Sequence, residues 1–315
     1  MRVLFWGTSA FAVPSLRALV GEGFEVVGVV TRPDRPAGRG RSTVAASPVK
    51  QAALEYGLRP ILQPDVPRGP GFIGVARDLA PDISVVVSYG HILTEEVIIL
   101  AGMGTLNVHA SLLPKLRGAA PIQAAIREGR IETGITVIRM VRALDAGPII
   151  LQARTPVAED ETYGELHLRL SELGALALIE ALTLVELGQA SEREQDEALA
   201  TYAPKIDRGG TRIPWHEGCG VVARHIRAFD PTPGARTALR GREVKLFGAV
   251  ATEEAGGEGR IRHGQVIRVD ESGMLVVTGD GAVRIAFVQP AAKRRMSVGE
   301  WARGRGVSAG DVFGE

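Results

Sequence analysis

Gly104-Thr-Leu-Asn-Val-His-Ala-Ser-Leu-Leu-Pro114 is the stretch on which the reading of this chain turns. Its first part alternates as a buried strand does, so Asn107 and His109, two residues apart, project from one face. An amide donor beside a protonatable donor suits a carbonyl that becomes a tetrahedral oxyanion. Pro114 ends the run and stiffens the turn, which presents Ser111, Leu112 and Leu113 as a ledge of backbone polar groups and apolar side chains. A flat heterocycle can rest on such a ledge. Further on, Leu144-Asp-Ala-Gly147 follows an apolar strand expected over 135–140, and its Asp145 is a carboxylate able to hold the imidazole charged. This is equipment for acyl transfer without a covalent nucleophile, because no Gly-x-Ser-x-Gly elbow occurs and the single cysteine, Cys219, falls in the second half.

Around this stretch the first half alternates short apolar runs with amphipathic ones. Residues 2–6, 25–31, 83–88 and 105–109 read as strands with helical patterns between them, which predicts a doubly wound, mainly parallel α/β sheet of the Rossmann-like kind. Ser47-Pro48 reads as an N-cap with proline at the first helical position. From Tyr163 onward, Leu166, Leu170, Leu173, Ala177, Ala181 and Leu184 recur at helical spacing, a core stripe on a long helix. Beyond a polar, acidic stretch come one helix around 220–229 and short strands at 244–250, 264–269, 274–278 and 283–288, a small OB-like β-barrel. The expected division is a catalytic domain over 1–188, a solvated linker over 189–207 and a barrel domain over 208–315.

With 315 residues, 45% of them hydrophobic and 23% charged, the composition is that of a folded protein of about two domains. One cysteine allows no internal disulfide and fits a reducing compartment, and neither a signal segment nor an apolar span of about 20 residues is present, so a cytoplasmic protein is expected. The formal charge of +1 hides an asymmetry: residues 208–315 hold 17 Lys and Arg against 12 Asp and Glu, net +5, which leaves about −4 for the rest. The six histidines show no metal-ligand spacing, and no metal is expected. Gly7-Thr-Ser9 lacks the later glycines of a dinucleotide fingerprint, which excludes a nicotinamide enzyme and leaves a tight turn edging a pocket. The run Arg32-Pro-Asp-Arg-Pro-Ala-Gly-Arg-Gly-Arg41 is expected to be irregular, with its arginines offering planar donors to phosphate. Lys293-Arg294-Arg295, set in a basic barrel, points to nucleic acid.

Together these pieces resemble the methionyl-tRNA formyltransferase family of folate-dependent formyltransferases, and the likeness runs through the whole chain. It rests on Arg-Pro-Asp-Arg-Pro-Ala-Gly-Arg-Gly from Arg32, Ser-Pro-Val-Lys at Ser47, Asn-Val-His-Ala-Ser-Leu-Leu-Pro at Asn107, Arg-Gly-Ala-Ala-Pro-Ile-Gln at Arg117, Glu-Thr-Gly-Ile-Thr at Glu132, Ile-Arg-Ala-Phe at Ile226 and Gln-Pro-Ala at Gln289. The resemblance implies passage of a formyl group from 10-formyltetrahydrofolate to the methionine amine of initiator methionyl-tRNA, by an enzyme expected to be a monomer. Asn107, His109 and Asp145 match the catalytic positions; Ser111, Leu112, Leu113 and Pro114 match the folate loop, with Tyr89 and Gly90 bordering the pterin. Arg35, Arg39 and Arg41 would enter the acceptor stem, with Lys293, Arg294 and Arg295 on the barrel. Two departures, Ala146 where many members carry threonine and Pro148 where an acidic residue is common, alter the turn after Asp145. The competing readings are a formyltransferase or formyl-folate hydrolase acting on a small molecule, for which the arginine loop and barrel would be idle towards RNA, and a non-catalytic RNA-binding protein, against which the intact Asn107, His109 and Asp145 argue.

Overall fold

The computed structural model describes residues 1–37, 43–252 and 262–314, which form two compact units. The first comprises 1–121, 132–156 and 167–203, and the second 122–131, 157–166 and 204–315. The first unit begins with β1 (Arg2–Gly7), α1 (Val13–Gly21) and β2 (Glu25–Val30), followed by the pair β3 (Arg35–Ala37) and β4 (Thr43–Ala45). Next come α2 (Pro48–Glu55), β5 (Ile61–Leu62), α3 (Pro70–Asp78), β6 (Ile83–Val87), α4 (Glu95–Ile98) and β7 (Thr105–His109). After α5 (Pro121–Arg127), which lies in the second unit apart from Pro121, β8 (Glu132–Arg139) and β9 (Ile149–Pro156) complete the sheet. The strand order is β5-β2-β1-β6-β7-β8-β9. The pairs from β5 to β7 are parallel, whereas β8 pairs antiparallel with both β7 and β9. The mainly parallel α/β architecture is therefore as the alternation predicted, with an antiparallel edge.

Burial follows from these strands being covered on both faces, as continuous apolar runs require. Val3, Leu4, Phe5 and Trp6 in β1 and Ile83, Val85 and Val87 in β6 are fully buried. Ser47 accepts a hydrogen bond from the Lys50 N–H at 3.0 Å and opens α2, so the predicted cap is formed. The long helix α6 (Tyr163–Glu186) joins the first unit from His167 onward, and Leu170, Ala177 and Ala181 lie along its buried stripe. A Cβ on Gly174 would lie 3.2 Å from Val108, so glycine lets this helix approach the back of β7 closely. One expectation is corrected. The arginine-rich run contains β3, which pairs with β4 just beyond the run in a register that sets Pro36 opposite Val44. A pair of two strands has only edges, so a residue lacking an N–H can be placed in it.

In the second unit α7 (Cys219–Arg227) packs on an antiparallel sheet of β10 (Ala235–Leu239), β11 (Arg242–Thr252), β12 (Val266–Asp270), β13 (Gly273–Val277), β14 (Ala282–Pro290) and β15 (Met296–Ser297). The order is β10-β11-β14-β13-β12, with β15 beside β14 and α8 (Val298–Arg303) after it. Bridges from Leu239 to Phe313 and from Gln265 to Val312 tie the two edges through the last residues, which closes the sheet into a small barrel. Its core contains Trp215, Ile226, Phe229, Leu246, Val276 and Ile285.

His225 is buried in this unit, edge-on to Phe229 at 4.9 Å, and its Nε2 has no hydrogen-bond partner among the described residues. Burial first and the Arg127 charge second push its pKa from 6.5 down to about 4, against weaker opposing bonds to the Thr211 and Arg212 backbone. The folded state therefore favours the neutral ring. Between pH 6.5 and about 4 the unfolded chain takes up a proton that the folded one refuses, so stability is lost as pH falls through this window. The loss is on the order of 3 kcal/mol. Urea denaturation from pH 7.5 to 4.5 should show a shallower decline for His225→Gln than for the wild type; identical slopes would refute the assignment.

Candidate active site

Asn107 is half-buried in the middle of β7, paired with Val86 on β6 and Ile138 on β8. His109, the last residue of the strand, is 6% exposed. Asp145 lies in the turn between β8 and β9 with φ at +50°. A left-handed conformation costs an L residue roughly 1–2 kcal/mol, with aspartate among the least penalised. The turn brings Asp145 Oδ2 to 3.6 Å from His109 Nδ1, both side chains being largely buried. The Leu116 carbonyl lies 3.0 Å from His109 Nε2. A carbonyl oxygen only accepts, so Nε2 carries the hydrogen and Nδ1 is the nitrogen directed to the carboxylate.

The same loop also holds the carboxylate: the Gly118 N–H donates to Asp145 Oδ2 at 2.8 Å. Behind the turn, Gln195 donates from Nε2 to the Asp145 and Gly147 carbonyls, each at 2.8 Å. Its Oε1 accepts from Arg117 Nε at 3.1 Å and Nη2 at 2.8 Å. Arg117, only 2% exposed, also reaches Glu197 from both terminal nitrogens, at 2.9 and 2.8 Å. That carboxylate holds the guanidinium's pKa above its ordinary value, and the arginine in turn lowers the pKa of Glu197. Sequence reasoning assigned no role to Arg117, Gly118 or Gln195. Gln195 and Glu197 fall in the stretch expected as a solvated linker, whose residues up to Ala203 belong to the first compact unit.

The ledge is pinned by Thr136 of β8, which is fully buried. Its hydroxyl donates to the Ser111 carbonyl at 2.6 Å and accepts from the Leu113 N–H and from Gln152 Nε2, both at 3.1 Å. Ser111 Oγ donates to the Lys115 carbonyl at 2.6 Å, and Leu113 is buried beside Ile138 and Ile149. Leu112 and Pro114 are the partly exposed members. Tyr89 and Gly90 follow β6, with Tyr89 2% exposed and Gly90 exposed at φ +86°. Thr8 donates to the Tyr89 carbonyl and Ser9 to Ser88 Oγ, so the Gly7-Thr-Ser9 turn lies against this strand end. Trp6 Nε1, Arg32 Nε, Tyr89 Oη and His91 Nε2 are buried there without a hydrogen-bond partner among the described residues. The Trp6 and Tyr89 rings are 5.5 Å apart and those of Tyr89 and His91 5.6 Å. Burial pushes the Tyr89 pKa up to about 12, and burial, Arg32 and Arg35 lower that of His91. Such a cluster fits a ligand bearing hydrogen-bonding heteroatoms.

Among the arginines, Arg35 is exposed in β3, while Arg39 and Arg41 lie outside the described residues. The base of this hairpin is held by Asp34, which meets Lys50 at 2.5 Å and Gln63 at 2.8 Å. On the barrel, Lys293 and Arg294 are exposed, and Arg294 lies 3.1 Å from Glu300. Arg295 differs: it is bonded to Asp230 at 2.8 Å and stacked over Phe247 and Phe287 at 4.4 and 4.8 Å. Among the described residues no group of three or more His, Cys, Asp or Glu could hold a metal, and no helix is long and apolar enough to cross a membrane.

A mainly parallel sheet that carries an amide, an imidazole and a carboxylate near its carboxyl edge, in a chain whose second unit is a small barrel, has the elements of a group-transfer enzyme acting on a carbonyl. Residues 1–182 match the formyl transferase family and 205–306 match that family's C-terminal domain, so the chain belongs to the formyl transferases. It is 41% identical to the methionyl-tRNA formyltransferase of Syntrophus aciditrophicus, over 99% of this chain and 98% of that one. The methionyl-tRNA formyltransferase of Moorella thermoacetica is 42% identical, over 100% and 99%. Among solved structures, HypX from Aquifex aeolicus in complex with tetrahydrofolic acid superposes with a TM-score of 0.68 at 21% identity, covering 95% of this chain and 46% of that one. At that identity the likeness speaks for the fold alone.

Thr136→Val keeps the shape of the side chain and strands the Leu113 N–H in the interior. The expected cost is about 1–3 kcal/mol of stability in urea denaturation. An unchanged unfolding midpoint would show that Thr136 does not pin the ledge.

Proposed function

We propose that this chain transfers the formyl group of 10-formyltetrahydrofolate to the α-amino group of methionine on initiator tRNA, acting as a cytoplasmic monomer. The observation that carries this reading is the similarity to methionyl-tRNA formyltransferases over essentially the full length, barrel included. The ledge 111–114, with Tyr89 and Gly90, borders the pterin, and the unpartnered donors at the end of β6 suit its ring heteroatoms. As the methionine amine attacks the formyl carbon, the C=O electrons move onto oxygen, where the Asn107 amide and the Nδ1–H of His109 receive the negative charge. Asp145 keeps that proton on the imidazole and, through a water, accepts the proton that the amine gives up. The oxyanion electrons then re-form the C=O as the C–N10 bond breaks, and N10 takes up the proton that Asp145 received from the amine.

In the same reading the acceptor stem is engaged by Arg35, Arg39 and Arg41 and its backbone by Lys293, Arg294 and Arg295. An unpaired stem end can be splayed open, whereas the deep major groove of closed A-form RNA is hard to read. Arg295, committed to Asp230 and two rings, acts mainly by shaping the surface that bears Lys293 and Arg294.

The purified protein, given 10-formyltetrahydrofolate with charged initiator or elongator methionyl-tRNA, should form formyl-methionine on the initiator species. No formyl-methionine, or formylation of small amines alone, would overturn the reading. Asn107→Ala and Asp145→Ala should each slow turnover by roughly 10² while leaving tRNA binding nearly intact, because their contacts strengthen in the transition state. Full turnover in either variant would remove that residue from the mechanism. Neutralising Arg39, Lys293 and Arg294 together should weaken tRNA binding and flatten its dependence on salt; an unaltered salt slope would remove them from the interface.

A further inference from the structure

We propose that Gln195 is a positioning residue for the transfer reaction, acting through the backbone of the Asp145 turn, with Arg117 as its anchor. This rests on the reading of Asp145 under the proposed function. The Gln195 side chain spends its whole hydrogen-bonding capacity in one place. Both Nε2 hydrogens go to carbonyls that flank the catalytic turn, those of Asp145 and Gly147, at 2.8 Å each. Its Oε1 takes two donors from Arg117. The amide is thereby fixed in orientation: a flip would put its oxygen against two carbonyl oxygens and its NH2 against a guanidinium.

What it fixes is a backbone that would relax without it. Asp145 has φ +50°, outside the common regions for a residue with a side chain. Gly147 is as confined, since a Cβ there would fall 1.8 Å from the Arg139 carbonyl oxygen. Loss of the two bonds from Gln195 frees the Asp145 and Gly147 carbonyls to turn, and the carboxylate then no longer sits where the Gly118 N–H and His109 meet it. Displacements of about 1 Å in such a group can lower rates by up to 10². Arg117 carries this further, because residues 116–118 lie on both sides of the site: Leu116 binds His109, Gly118 binds Asp145, and the Arg117 guanidinium between them holds the glutamine behind Asp145. Its planar fork spans Gln195 and Glu197 at once, which the single ammonium of lysine does not reproduce. Glu197, 69% exposed, balances the charge from the solvent side.

The test compares Gln195→Leu, Gln195→Glu, Arg117→Lys and Asp145→Ala, singly and with Gln195→Leu combined with Asp145→Ala. Formyl transfer to initiator methionyl-tRNA is followed, with the thermal midpoint of each variant recorded. Expected are a fall in kcat of roughly tenfold to hundredfold for the Gln195 variants with little change in KM for either substrate. Arg117→Lys should fall between these and the wild type. The double variant should be no slower than Asp145→Ala alone, as required when one residue acts through the other. Effects that multiply in the double variant, or a Gln195→Leu enzyme of wild-type kcat, would overturn the proposal. If Asp145→Ala itself retains full turnover, the reading of the active site fails and takes this inference with it; if Asp145→Ala is slow and Gln195→Leu is not, only this inference fails.

Discussion

The geometry of the candidate site depends on one short loop that binds two groups of opposite character. The Leu116 carbonyl accepts a hydrogen bond from His109, while the Gly118 N–H, two residues on, donates one to Asp145. A peptide loop can do both because carbonyls and N–H groups emerge in different directions when the backbone turns sharply, and this one does: Leu116 has φ +60° and Gly118 φ +113°. At residue 118 only glycine serves. A Cβ there would lie 2.7 Å from the Ala203 carbonyl oxygen, so any side chain would push the loop off the strand segment behind it. The Ala203 N–H in turn donates to the Arg117 carbonyl, and the Arg117 N–H to the Thr201 carbonyl. The ledge joins the same construction through the bond from Ser111 to the Lys115 carbonyl. Residues 111–118 are therefore linked by hydrogen bonds that tie the ledge to the loop holding the imidazole.

The distance of 3.6 Å between His109 Nδ1 and Asp145 Oδ2 follows from that loop and has a chemical meaning. A hydrogen bond weakens steeply beyond about 3.2 Å, whereas the Coulomb attraction falls only as the reciprocal of distance. Drawn towards Gly118, the carboxylate stays within Coulombic reach of the ring without saturating Nδ1. In the proposed mechanism that nitrogen is the donor to the oxyanion.

Much of this could be read from the chain because the signals were local. Strand alternation placed Asn107 and His109 on one face, the cap at Ser47 was written in two residues, and the run of short strands from 244 to 288 marked the barrel. What escaped was information held by partners distant in sequence. Gln195 lies 50 residues from the carbonyl it binds at Asp145, and Arg117 lies 78 residues from Gln195. The stretch around Gln195 is polar and mostly exposed, as a linker would be, and composition does not tell a solvated amide from one directed inward. The same blindness affects Lys293-Arg294-Arg295, three neighbours of like charge. Arg295 alone meets a buried aspartate 65 positions away and two aromatic faces. The reversed direction of β8 was hidden for a related reason, since a strand buried on both faces reads as an apolar run in either direction.

The division of labour in the molecule follows from where rigidity was built. At the carboxyl edge of the sheet, polar side chains are tied into backbone bonds, as formyl transfer through a fixed oxyanion site requires. The arginine run begins differently. Asp34 is locked between Lys50 and Gln63, and Gln63 also donates to the Arg32 carbonyl at 3.0 Å, so the base of the hairpin is fixed to α2 and to the segment after β5. A loop with no task beyond solvation needs no such root, whereas a cationic one that must meet a polyanion gains from it: a fixed base lowers the entropy lost when the arginines are immobilised on phosphate. The lock consumes the carboxylate nearest the arginines. With Asp34 bound to Lys50, its charge is balanced beside β3, and Arg35 is left exposed, as the proposed attraction to the acceptor stem needs.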